Sequence, residues 1–481
     1  NYDSGTTQYT SGGYLRYDFD PTCAYGVGRQ KWYAYLLESS WYKSANSSVY
    51  NLNITSDLYA YVTEPDNVSY VRGEDIVLRG YVKDEPACDN FVTDASVEFR
   101  AFDGSVYTCP STNNEGNGYY NCTIPGSITS GMDLGWYDVS MNASRQYYNS
   151  SYYVKNDSFV LTTAPVLSDP KVTPTSAGWG NKFTFNVTVQ DIEGDLVNVT
   201  LWKRLTGGDW VLLNYTTGTF STPKTVSFVQ TFTCADIGGN EFKFNASDIW
   251  GNKDETAPKP FTLQKDITMI EYVSGAGKSL NREGEDRATF RVRIYDMERE
   301  AYISNTQGYL WVTRNGSLSS YTQEMTNITD SSGYLTFNFN ATCDHKAGTQ
   351  YWRAGITESA CYQDSNSSDY SFTVFGQLKN FLLYPSYDVS IPVGENVTVL
   401  VNIGDECSEL QAGASITIEF GSPLDAWESC APVYDELNGT YNCTWNTKYH
   451  MGGYWDARVN ASKTYYNFNS TTWYDWFYLN N

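Results

Sequence analysis

Positive charge is scarce in this chain. Lys and Arg number 32 against 55 Asp and Glu, and the net charge over 481 residues is −23. That balance offers little to neutralise a phosphate backbone and argues against nucleic acid as a partner. Divalent cations fit better, since they would relieve the self-repulsion. Histidine is scarcer still: His345 and His450 sit in unmatched loop positions and read as exposed loop residues. No His-Glu-x-x-His, Gly-x-Ser-x-Gly or phosphate-loop pattern occurs. The acidic pairs Asp84-Glu85 and Asp405-Glu406 are adjacent in loops, whereas acid–base chemistry needs carboxylates set across a cleft. No enzyme is expected. No apolar run is long enough to span a membrane, and no long amphipathic helical run is present. The first residues carry no leader pattern, so the chain reads as a mature or trimmed product, any anchor removed or lying outside it.

What is abundant is Tyr, with 41 residues, together with Asn, Ser and Thr. Tyr, Thr and Val suit half-buried strands. One stretch recurs five times, around Ser39, Ser144, Ser247, Ser359 and Ser462. Three residues before each serine stands a large apolar residue: Leu36, Met141, Phe244, Ile356 or Val459. Five before stands Ala34, Val139, Phe242, Ala354 or Ala457. Seven before stands Trp32, Tyr137, Trp352 or Trp455, with Asn240 in the third copy. Apolar residues at every second position make a strand with one buried face. Recurring at roughly 105-residue intervals, that strand predicts tandem small β modules. Trp32, Trp352 and Trp455 are expected in their cores. The pairs Tyr147-Tyr148 and Tyr465-Tyr466 stack on sugars, pack subunits together, or cover glycan stems or neighbouring modules.

A second marker, a glycine followed by polar residues, opens an earlier strand at Gly73, Gly180, Gly284 and Gly394. The two markers place modules at 58–162, 163–264, 265–375 and 376–481, preceded by the C-terminal half of one at 1–57. A longer repeat runs through them. Residues 11–54 align without gaps onto 331–374, and 58–162 matches 376–481, giving the order A-B-C-A′-B′. The counterpart of about 265–320 is missing from the first module, which leaves a bare sheet face and an open edge. Either the 481 residues are a piece of a longer chain, or another subunit supplies the strands.

Twenty Asn-x-Ser/Thr sequons, with ten cysteines, point to a secreted, N-glycosylated protein. The acceptors are Asn46, Asn53, Asn67, Asn121, Asn142, Asn149, Asn156, Asn186, Asn198, Asn214, Asn245, Asn315, Asn327, Asn340, Asn366, Asn396, Asn438, Asn442, Asn460 and Asn469.

This layout resembles the tandem immunoglobulin-like or fibronectin III-like modules of archaeal surface-layer and prokaryotic extracellular filament proteins. Module 163–264 carries the resemblance best. Its Val189-Gln190-Asp191-Ile192-Glu193-Gly194-Asp195 looks like the family's acidic loop, and Ala246-Ser247-Asp248-Ile249-Trp250-Gly251-Asn252 like its turn. The other modules read as having lost those loops. The fold class implied is all-β: tandem immunoglobulin-like β-sandwich modules in an elongated rod. In such a sandwich the two loops share one end, and oxygen ligands from Asp191, Glu193, Asp195, Asp248 and Asn252 suit Ca2+. An Asx-type turn without an ion is the other reading.

The loops after strands two and six of such a sandwich face the preceding module, and the loop after strand five faces the next. That placement predicts Cys23–Cys88, Cys234–Cys361 and Cys343–Cys407 across module joints, with Cys109–Cys122 and Cys430–Cys443 closing hairpins. A Cys343–Cys361 bond is disfavoured, because a nine-residue strand separates the two. The function expected is a glycosylated structural subunit of an extracellular surface layer or filament. It would self-associate through its modules, by strand complementation between subunits. The alternative is an adhesin or carbohydrate-binding surface protein.

Overall fold

The computed structural model describes residues 2, 5–423 and 425–481. It is built almost wholly of strands; among the described residues the one α-helix is Gly126–Thr129, a single turn. Among the described residues no helix is long and apolar enough to cross a membrane. The chain forms two compact units, one of residues 1–173, 184–229 and 241–260, the other of 174–183, 230–240 and 261–481.

In the first unit, residues 58–162 make a two-sheet sandwich. Strand Ile76–Lys83 pairs with Tyr59–Glu64 on one side and Tyr119–Ile124 on the other. Facing it, Gly135–Ser144 is flanked by Ser96–Phe102 and Ser151–Thr162. Alternation decides which residues are inside. Ile76, Leu78 and Val82 from one sheet meet Phe99, Val139, Met141 and Phe159 from the other in one core. Each such side chain contributes about 1.5–3 kcal/mol when fully buried. The turn before Ile76–Lys83 needs a positive φ, and Gly73 supplies it at +97°, as Gly394 does at +103° in the duplicate. Residues 163–264 are shared between the units. In the first, Val166–Thr173 pairs with Phe183–Gln190 and Leu196–Leu205 with Val211–Thr219.

The second unit holds two further cores, around Phe290, Trp352 and Phe372 and around Trp445, Trp455 and Phe477. Strand Tyr370–Tyr384 belongs to both. Its first half pairs with Gly348–Ile356 and its second with Asn396–Asp405. The border at 375/376 is thus a continuous strand with no linker, and one ten-stranded sheet runs through it.

Residues 1–57 contrast with their duplicate. Strand Gly28–Trp32 pairs with Tyr50–Ile54 as Gly348–Ile356 pairs with Tyr370–Tyr384, Trp32 facing Tyr50 as Trp352 faces Tyr370. The expected burial of Trp32 does not hold. It is 46% exposed against 0% for Trp352, Leu36 is 47% against 0% for Ile356, and Tyr42 is 72% against 6% for Tyr362. The reason is the missing opposite sheet: Phe290, which stacks on Trp352 at 4.7 Å, has no counterpart in 2–57. A second expectation fails at His345, which is buried, its ring edge-on to Phe339 and its Nδ1 accepting from Thr342 N–H.

Candidate functional site

The chemistry-bearing side chains gather where one module meets the next. Three of these joints share one device. A buried aspartate ends the second strand of the following module or directly follows it: Asp191, Asp296 or Asp405. One carboxylate oxygen of each accepts two backbone N–H groups of the loop beyond. The donors are Gly194 and Asp195, Glu298 and Arg299, and Cys407 and Glu409. A glutamate one or two residues on then accepts the N–H of the incoming chain. Glu193 takes Thr163, Glu298 takes Ile267 at 2.7 Å, and Glu406 takes Gln377 at 2.6 Å. The acidic loop is therefore a clamp on the connection. Modules 265–375 and 376–481 keep it as Asp296-Met297-Glu298 and Asp405-Glu406, contrary to the sequence expectation that it was lost. The spacing of Asp and Glu after the second strand was the available signal; the single-residue difference between the copies hid it.

Of the residues predicted to hold Ca2+, Asp248 bonds to its own turn, accepting from Trp250 N–H and Asn252 N–H. Asn252 Nδ2 donates to Thr162 Oγ1 at 2.8 Å, and Trp250 Nε1 to Asp195 Oδ2 at 2.8 Å. The acids crowd each other. Burial pushes the Asp191 carboxyl up, and the charges of Glu193, Asp195 and Asp248 add to it, against the N–H of Asp195. Asp191 Oδ2 is buried without a hydrogen-bond partner. Three groups of at least three His, Cys, Asp or Glu side chains come within 4.8 Å among the described residues, and this set is not one of them.

One of those groups was missed from sequence: Asp266, Asp296 and Glu298 at the joint between 163–264 and 265–375. Asp266 sits on the connection and accepts from Gly180 N–H at 2.9 Å. Burial raises its carboxyl to about 7, with Asp296 and Glu298 adding repulsion and Gly180 N–H opposing. Arg299 lies against Asp296 at 2.6 Å and over the Trp179 ring at 4.2 Å. Trp179 Nε1 in turn donates to Cys361 C=O. Three carboxylate oxygens so placed have the spacing to hold a cation. The signal was obscured because Asp266 lies thirty residues before its partners.

The joint at 375/376 is neutralised internally. Arg282 and Asp405 are buried and the Glu406 side chain is 5% exposed, with Arg282 reaching Asp405 at 2.9 Å, Glu406 at 2.7 Å and the C=O of His345 at 3.0 Å. Tyr466 packs beside Arg282, and Tyr148 is half-buried at the corresponding place. Neither second tyrosine of the two Tyr pairs is therefore an open platform for sugars.

The structure brings Cys23 to Cys88, Cys234 to Cys361 and Cys343 to Cys407, with Cα separations of 5.3, 5.1 and 5.5 Å. It also pairs Cys109 with Cys122 and Cys430 with Cys443. None of the twenty sequon asparagines is buried.

No protein-family model matches the chain, and neither does any curated protein. Among solved structures it is similar to a tetra-tandem repeat from the extending region of a large adhesion protein. The identity is 14%, over 87% of this chain and 98% of that one, with a TM-score of 0.41. It is similar to fibronectin(III)-like modules of Clostridium thermocellum CbhA at 15% identity, covering 43% and 95% of the two chains, with a TM-score of 0.24. Trypsin-activated alpha-2-macroglobulin of Escherichia coli matches at 9% identity over 90% of this chain and 43% of that one, with a TM-score of 0.17.

Proposed function

We propose that this chain is a glycosylated structural subunit of an extracellular surface layer or filament, built to hold modules at fixed geometry. One observation carries the reading: the A–B and A′–B′ joints are fastened the same way. Cys23–Cys88 matches Cys343–Cys407, and the parallel pairing of Tyr148 with Ser56 matches that of Tyr466 with Gly376. A duplicated, cross-linked joint serves rigidity, and disulfides persist in oxidising surroundings outside the cell. Sequon asparagines, none of them a buried residue and most of them exposed, Asn46 and Asn149 for example, are compatible with N-linked glycans. Electron microscopy of native material tests the reading: lattices or filaments are expected, and dispersed single particles would overturn it.

A second reading, an adhesin or carbohydrate-binding surface protein, draws on the exposed Val211, Leu212 and Tyr215 of strand Val211–Thr219. A glycan-array signal lost on Tyr215→Ala would favour it. For the Asp191 set we propose Ca2+ binding. In support are the unpartnered Asp191 Oδ2 and four carboxylates that, among the described residues, have no cationic partner. Chelator should lower the melting temperature, and an unchanged Tm counts against the ion.

A further inference from the structure

We propose that N-linked glycans on Asn214 and Asn327 cover the open sides of modules 163–264 and 265–375, where two long sheet edges would otherwise accept strands of other chains. The proposal rests on the glycosylation in the reading above and gives two of its acceptors a task.

Each of these sandwiches has a side where the chain crosses from the last strand of one sheet to the last strand of the other. Modules 58–162 and 376–481 keep both edges short there: Val106–Thr108 with Thr112–Asn114, and Glu428–Ser429 with Tyr434–Asp435. The loop between each pair is bonded inward, Cys109 to Cys122 and Cys430 to Cys443. Short edge strands resist pairing with another chain. Modules 163–264 and 265–375 have neither device. Their edges are Val211–Thr219 with Lys224–Gln230, and Tyr321–Ile328 with Tyr334–Phe339, and no cysteine lies on them. Val211–Thr219 carries no charge and no proline. The one charge of Tyr321–Ile328, Glu324, is taken by Arg314 at 2.9 Å.

A sequon stands on the first strand of each long pair, and its asparagine faces the gap between the sheets. Asn214 lies directly opposite Leu201, a core residue, and so shares its face. With Thr216 and Gly218 it lines a groove whose other wall is Val226 and Phe228 of the opposite edge. Asn327 stands two residues from Met325, which pairs with buried Leu310. Its Nδ2 donates to the C=O of Thr336 on the opposite edge at 2.7 Å. Both asparagines are exposed. Attachment draws on a lipid-linked oligosaccharide phosphate: the bond from sugar C1 to Nδ2 forms, the C1–O bond to phosphate breaks, one Nδ2 proton is lost and the lipid phosphate leaves with the bonding pair. The nitrogen keeps its second hydrogen, so the bond from Asn327 to Thr336 survives. A sugar chain rooted in the gap fills the space that an added strand would need.

Peptide mass spectrometry on the native full chain is expected to find both asparagines glycosylated. The full chain from its native host, carrying Asn214→Gln and Asn327→Gln, should self-associate at least tenfold more tightly by sedimentation, with hydrogen exchange slowed at 211–219 and 321–328. Thr216→Ala, which removes a sequon and keeps its asparagine, should slow exchange at 211–219 in the same way. Asn142→Gln, on a strand paired on both sides, should change neither readout. A bare Asn214 or Asn327 in the native chain, or association no tighter in the variants, overturns the proposal. Bare asparagines here with sugars at other sequons, in a protein that forms lattices or filaments, would remove this inference and leave the structural reading standing. Glycans at both sites that block association, on a protein that never assembles, would do the reverse.

Discussion

Single residues at the joints carry opposite electrostatic solutions. Arg282 neutralises two buried carboxylates, so Arg282→Met should destabilise the second unit by about 3–5 kcal/mol, read from denaturant unfolding, because it strands both charges. Asp266 has a weaker neutraliser, Arg299 at 3.7 Å. Its folded carboxyl holds a proton that the unfolded chain releases at lower pH. Its contribution is therefore full below pH 3.8 and is lost as pH rises through about 7. Tm should fall across that window, and Asp266→Asn should flatten the fall; an unchanged slope would remove this residue as the cause. A different residue-scale regularity explains why Asn240 replaces an aromatic in the recurring strand. Tyr137 Oη, Trp455 Nε1 and Asn240 Nδ2 each donate to the backbone C=O four residues back, at Asp133, Met451 and Asp236. In the first and fourth copies Gln30 and Gln350 make that bond from two positions earlier. In three copies three side-chain types at one position thus make the same bond, whereas Trp352 Nε1 in the fourth is buried without a partner. Tyr137→Phe should cost about 1 kcal/mol in unfolding free energy.

At the scale of elements, the strands were legible because one rule suffices: alternate residues face a core. The stretches around Met141, Ile356 and Val459 are strands with those residues buried. Trp32 obeys the same local rule and is exposed, since burial needs an opposite sheet that local pattern does not encode. Tyr370–Tyr384 runs through 375 without a linker, because strand propensity is indifferent to which core each half serves. The cross-links differ in what they constrain. Cys343–Cys407 closes 64 residues and Cys430–Cys443 only 13. On the chain-entropy model these are worth ~4 and ~3 kcal/mol. Replacing the first pair by serine should therefore lower Tm more than replacing the second, by calorimetry under non-reducing conditions.

Across the whole chain, the acidic clamps were half legible. Asp191 and Glu193 stood out because their loop matched a known pattern. Asp266 did not, because a connection contributes one acid and a later loop the other two. Duplication made the remainder readable, since A′ displays what A lacks. Strand Tyr370–Tyr384 has a mechanical consequence. A pull through the second unit enters residues 376–481 by two parallel routes, the peptide backbone and the sulfur bridge from Cys343 to Cys407. The ladder along the backbone route lies in shear, with many bonds loaded together and no hinge to unzip first. Within 265–481, load is thus divided between backbone and sulfur bridge, so neither carries the whole of it.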